Sequence, residues 1–134
     1  MNPSKVVVRY SNGKVVKGQT SDFLPNKDYF TLEPSDVTAG SKSMQVFVKD
    51  LKALFFVKTY TGDPKHKESN QFDPKKPAIG KKIKVVFKDG EELVGTTTVF
   101  HPDRMGFFLD PADHDSNSQR CFVVMAATKQ VNYI

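Results

Sequence analysis

A chain of 134 residues with 20 Lys and Arg against 15 Asp and Glu, one cysteine and no tryptophan is small, basic and unable to form an internal disulfide. No apolar run approaches the ~20 residues of a membrane span, and residues 1–4 lead into a strand pattern without a secretory apolar stretch. Together these exclude a disulfide scaffold and a helical membrane protein, and set the expectation of a cytoplasmic protein in a reducing compartment.

Val6, Val8 and Tyr10 alternate with Val7 and Arg9, the period of a half-buried strand. Asn12-Gly13 follows, a pair suited to a tight type I′ hairpin turn, and residues 14–22 run back as a second strand with Gly18 allowing a sharp bend. Residues 23–28 form a turn, residues 29–32 a third strand, and a polar loop over 33–43 leads to a fourth strand at 44–48. A short helical turn over 49–52 precedes a fifth strand at 53–60.

The same order then returns. Lys5-Val6-Val7-Val8-Arg9-Tyr10-Ser11-Asn12-Gly13 reappears as Lys82-Ile83-Lys84-Val85-Val86-Phe87-Lys88-Asp89-Gly90. Gly18, Phe23, Pro25, Phe30 and Leu32 meet Gly95, Phe100, Pro102, Phe107 and Leu109, again 77 residues on. A second polar loop over 110–119, read as two residues shorter than the first, places Cys121 opposite Val46, and strands follow at 121–123 and 130–134. Residues 61–81 between the copies hold Pro64, Pro74 and Pro77 and many charges, the composition of a linker. The expected organisation is a first unit over 1–60, a polar basic linker over 61–81 and a second unit over 82–134. Five short strands with one helical turn before the last predict an all-β chain of two tandem five-stranded SH3-like (Sm-like) small barrels. Barrels of this size have small cores, so the two are expected to pack on each other.

The pattern Val6-x-Val8-x-Tyr10-x-x-Gly13-x-x-x-x-Gly18, then Phe23 and Phe30-x-Leu32, resembles the first motif of Sm-like barrels, and residues 83–109 fit it equally. That family reads RNA with an Asn before the third-strand apolar pair and with an Arg-Gly in its second motif. Tyr29 and Gly106 stand at the first position here, and Lys49-Asp50 and Val124-Met125 are aligned with the second. The resemblance implies a barrel and weakens RNA reading. Phe87-Lys88-Asp89-Gly90, Gly95-x-Thr97, Phe100-x-Pro102 and residues 106–113 also resemble an uncharacterised bacterial family of small β-barrel domains found near PilZ-type regulatory domains. PilZ domains bind cyclic dinucleotides through an Arg-x-x-x-Arg pair and an Asp/Asn-x-Ser-x-x-Gly stretch, and this chain has neither.

No residues are assigned to catalysis, metal or cofactor. Asp113, Asp115 and Asn117 are spaced as a calcium loop begins, but Ser118 and Val124 replace its Gly and Glu. Cys121 falls at an apolar strand position and reads as core, and His66, His101 and His114 lack zinc-site spacing. Phe30, Phe56, Phe107 and Tyr133 fit core positions, whereas Tyr29, Phe55 and Phe108 have the opposite parity. These last three are the candidate partner-binding residues, or else the contact between the two units.

Positive charge is concentrated in the first 81 residues. Its candidate phosphate contacts are Arg9, Lys49, Lys52, Lys65, Lys67, Lys75 and Lys76. The preferred expectation is a non-enzymatic module that binds another protein, without cofactor. Sm-like nucleic-acid binding is the alternative, and a small-ligand cleft between the barrels is a third reading.

Overall fold

The computed structural model describes residues 4–35, 43–60, 80–98, 104–112 and 117–134. Every long element in them is a strand. In chain order these are β1 (Ser4–Tyr10), β2 (Val15–Thr20), β3 (Tyr29–Pro34), β4 (Met44–Phe47), β5 (Leu51–Val57), β6 (Lys81–Phe87), β7 (Glu92–Thr97), β8 (Gly106–Pro111), β9 (Ser118–Val124) and β10 (Thr128–Tyr133). Single 3-10 turns at Val48–Asp50 and Met125–Ala127 precede β5 and β10, where a short helical turn was expected.

Each half follows the same path. β1 pairs with β2 and β5, β2 with β3 and β3 with β4, all antiparallel, and β6 to β10 repeat these pairings. The halves are not two separate barrels, because β5 pairs antiparallel with β9 and fuses them into one ten-stranded sheet. Its order is β10-β6-β7-β8-β9-β5-β1-β2-β3-β4, which leaves β10 and β4 at the ends.

Both hairpins are three-residue loops. Tyr10 and Gly13 N–H groups donate to Lys14 and Tyr10 carbonyls, and Phe87 and Gly90 do the same to Glu91 and Phe87. Among the described residues positive φ occurs only at glycines, here Gly13 (93°) and Gly90 (94°). Asn12-Gly13 therefore does not form the expected type I′ turn, which needs positive φ at both central residues, and Asp89-Gly90 takes the same path. The loop is a turn followed by a glycine bulge. Gly18 and Gly95 let β2 and β7 cross closely over β3 and β8: a Cβ would run into the carbonyls of Glu33 and Asp110.

Register corrects the second polar loop. Phe30 faces Val46 and Leu32 faces Met44, while Phe107 faces Val123 and Leu109 faces Cys121. The 77-residue spacing thus holds through β9, Cys121 is the counterpart of Met44 rather than Val46, and Lys49-Asp50 matches Ala126-Ala127. A slip of two residues preserves the faces of a strand, so alternation by itself could not distinguish the two alignments.

The described residues build two cores, and each borrows from the other half. Val6, Val8, Phe30, Leu32, Val46 and Leu54 form the first together with Phe122 and Val124 of β9. Ile83, Val85, Phe87, Phe107, Leu109, Cys121 and Val123 form the second together with Ala53 of β5. From Ala53 onward successive residues of β5, like those of β9, point to opposite faces and serve the two cores in turn, while a bulge at the start of β5 turns Leu51 into the first core. Tyr133, expected in a core, is 51% exposed because β10 has no strand on its outer side.

Candidate functional site

The join between the halves has a hollow on each face. On the face of the first core it is an aromatic cleft of about 580 Å3, lined by Phe23, Phe56, Phe108, Thr20, Asp110 and Arg120, among others. β5 presents Phe56 and β8 presents Phe108, both partly buried against the first core. Phe23 lies in the turn after β2, and that turn is fastened by Asp22, whose carboxylate accepts from the Thr31 N–H (2.9 Å) and the Thr20 hydroxyl (3.1 Å). Burial opposes the charge on Asp22, but these hydrogen bonds outweigh it and hold the carboxyl below its ordinary pKa.

Phe23 meets the rings of Phe30, Phe56, Phe108 and Phe122 edge-on at centroid distances of 5.3, 5.9, 6.1 and 5.1 Å. Edge-to-face contact leaves ring faces for a further apolar group. Phe108 also lines a smaller hollow of about 300 Å3 with Pro25, Arg104 and Phe122. Arg120 pairs in register with Phe56, stacks over Phe108 at 5.1 Å and bonds Asp110 at 3.1 Å, which makes a charged rim around an aromatic floor.

On the opposite face lies a hollow of about 540 Å3 whose lining includes Val7, Arg9, Lys17, Phe55, Glu91 and Glu92. Asn117, a residue with a side-chain amide, also lines it. That amide accepts from the Thr59 N–H (3.0 Å) and hydroxyl (3.1 Å) and donates to the Thr59 carbonyl (2.8 Å), tying the end of the first half to the second. Asn117 is thereby spoken for, and the rest of the calcium-like stretch, with all three histidines, lies outside the described residues. No cluster of three metal-ligating side chains occurs among the described residues.

The three candidate partner-binding aromatics sit on three different surfaces. Phe108 is in the aromatic cleft. Phe55 packs against the second core and lies beneath the Arg9 guanidinium at 5.4 Å. Tyr29, 39% exposed, stands beside Phe47 near the β4 end of the sheet, with ring centroids 5.8 Å apart. Phe55 and Phe108 each reach the other half's core, so both also make the contact between halves. Phe23 and Phe56 were not among the candidates. Phe56 shares parity with core positions, but on a strand covered on both faces that parity leads to the cleft.

Of the candidate phosphate contacts, Lys52 is buried and crosses to the second half. Its Nζ lies 2.7 Å from Asp89, 3.3 Å from Glu91 and 4.7 Å from the Phe87 ring centroid. Arg9 and Lys49 are exposed, and Lys65, Lys67, Lys75 and Lys76 lie outside the described residues. Cys121 is fully buried in the second core, which pushes its thiol pKa far up and keeps it protonated.

A family model matches residues 2–134, spanning both halves and the join between them. The chain belongs to DUF6982, a family of unknown function. No curated protein and no solved structure matches it. Among the described residues, no helix of this DUF6982 member is long and apolar enough to cross a membrane.

Proposed function

We propose that this chain is a non-enzymatic binding module made of two SH3-like halves, and that it recognises another protein by taking an apolar side chain of that partner into the aromatic cleft. The observation that carries this reading is the convergence of Phe23, Phe56 and Phe108 from three separate strands and turns into one open cleft with an Arg120–Asp110 rim. An aromatic floor inside a polar, arginine-bearing rim is the make-up of interface hot spots, where burying one large anchor can contribute about 2 kcal/mol or more. The fused sheet holds these rings at fixed spacing, so little order remains to be imposed when a partner binds.

The test is selection of displayed random peptides on the whole chain, followed by affinity measurement. Peptides sharing a large aromatic or aliphatic anchor are expected, with binding weakened about tenfold or more by Phe108→Ala. Arg120→Ala, a rim change that spares the packing, is expected to weaken it less. A selection that yields no shared anchor, or binders indifferent to both substitutions in folded protein, overturns the reading.

A further inference from the structure

The hollow on the opposite face differs from the aromatic cleft in its charge. Its acidic wall is paired: Glu91 is 3.3 Å from the Lys52 ammonium, which it shares with Asp89 at 2.7 Å, and Glu92 is 2.6 Å from that of Lys84. Its basic wall is not. Arg9 stacks on Phe55, and Lys17 donates to the Tyr60 carbonyl at 2.8 Å, so both cations have neutral partners. Among the described residues no carboxylate is within ion-pair distance of either. Around this hollow Arg9, Lys17, Lys52 and Lys84 stand against Asp89, Glu91 and Glu92, an excess of one positive charge.

The basic wall is also held in place. Val7 pairs with Lys17 on β2 and with Phe55 on β5, which sets Arg9 two residues along the same face. The Tyr60 hydroxyl donates to the Gly18 carbonyl at 3.0 Å, so the residue that receives Lys17 is itself tethered to β2. A guanidinium held over a ring has no acceptor there for its N–H groups, which leaves them to bond an oxyanion, and apolar surface from Val7, Val57 and Leu93 lines the same space. A volume of about 540 Å3 lies within the usual range for small-molecule sites.

We infer that this hollow is a site for a small organic anion, a single carboxylate or phosphate monoester on a compact apolar body. Arg9 and Lys17 take the oxygens, and Val7, Val57 and Leu93 cover the body. Glu91 and Glu92, though paired, still present acceptor-only carboxylates on the facing wall. They oppose a second anionic group and therefore a polyphosphate or nucleic-acid strand. Because this site is on the other face from the aromatic cleft, it stands whether or not a protein binds there.

The test uses phenyl phosphate and benzoate as probes, with benzyl alcohol and inorganic phosphate as controls, read by backbone amide shifts of the whole chain. Saturable shifts at Arg9, Lys17, Phe55 and Leu93 are expected with phenyl phosphate or benzoate at millimolar or lower concentration. Response to inorganic phosphate is expected to be weaker, and benzyl alcohol should give none. Arg9→Gln is expected to weaken binding about tenfold, and Arg9→Lys, which keeps charge but loses the fork, to weaken it less. Phe108→Ala should leave the probe affinity unchanged. Linear, non-saturating shifts, equal response to benzyl alcohol, or saturable binding unaffected by Arg9→Gln in a protein with a native spectrum would each overturn the assignment.

Discussion

β5 and β10 hold the same place in the two halves, as do β9 and β4, yet β5 and β9 are joined mid-sheet while β10 and β4 are its ends. Position by position the pairs differ sharply. At the join, Ala53 and Phe55 pack into the second core and Phe122 and Val124 into the first. The counterparts 77 residues away are Gln130, Asn132, Gln45 and Phe47. Lys52 at the join meets Asp89 and Glu91 on the facing hairpin. Its counterpart Lys129 would meet Asn12 and Lys14 if another copy continued the sheet. Both ends keep the backbone of a pairing strand but have lost most of its apolar cover and all of its charge match. Polar and like-charged side chains are what stop a sheet from growing at its edges. The pairing is therefore made once and ended by side chains rather than by backbone.

The comparison can be broken most forcefully at Phe122. This ring is 1% exposed and meets Phe23 at 5.1 Å and Phe108 at 5.2 Å. Phe122→Ala is expected to cost about 3–5 kcal/mol in urea unfolding, as the loss of a large core side chain does. Gln45→Ala at the exposed end should change stability by less than about 0.5 kcal/mol. If Phe122→Ala cost under about 1 kcal/mol, or if the halves then melted separately without loss to either, the join would not be structural.

The next prediction rebuilds the join at the ends. Gln45→Phe, Asn132→Phe and Lys14→Glu together restore ring, ring and counter-charge at the counterpart positions. Sedimentation velocity is expected to show concentration-dependent oligomers for the triple variant and no such growth for the parent chain. A triple variant that sediments as the parent at every concentration would mean that the missing side chains are not what ends the sheet.

Much of each half was legible because its signals are local. Alternation over residues 6–10 and 83–87, the hairpin glycines and the bend glycines place β1, β2, β6 and β7 within a few residues. The join was harder to read, because pairing of β5 with β9 links segments more than sixty residues apart. One signal for it was present. Residues 53–57 and 121–124 are apolar at every position, the mark of strands covered on both faces, whereas β10 reads Thr-Lys-Gln-Val-Asn-Tyr. Taking Phe56 for a closed-barrel core position and Tyr133 with it followed from treating each half as complete in itself. The aromatic cleft exists only once the halves are joined, so neither copy contains its pattern.

Acid should sharpen the same comparison on a smaller scale. The hydrogen bond from Lys52, then that from the Glu91 N–H, hold the Asp89 carboxyl below its ordinary pKa. A depressed carboxylate favours the folded state above the unfolded pKa of about 4, and this contribution is lost as pH falls through the lower folded value. Melting temperature is therefore expected to fall more steeply below about pH 4 in the parent than in Lys52→Met, with Lys129→Met tracking the parent. Identical acid limbs for all three proteins would separate Asp89 from the stability of the join.

The smallest expected effect is on nucleic acid, and here too the halves differ. Tyr29 offers an exposed ring at the β4 end, with Lys27 5.4 Å from its centroid. Its counterpart Gly106 is buried where any Cβ would press on the Phe122 ring, so the second half offers no ring at this position. Lys52, a candidate phosphate contact, is held by two carboxylates. Of the candidates, Arg9, Lys49, Lys65, Lys67, Lys75 and Lys76 remain, six cations. Single-stranded binding through these releases counterions with a log–log salt slope no steeper than about −4, and it reads no sequence. Mixed single-stranded RNA is therefore expected to bind weakly at low salt and to dissociate by about 150 mM. Stacking on Tyr29 could add about 1–3 kcal/mol per base and reverse this. Sequence-selective, submicromolar binding at about 150 mM salt that disappears in Tyr29→Ala would make the first half a nucleic-acid reader and the exposed ring its platform.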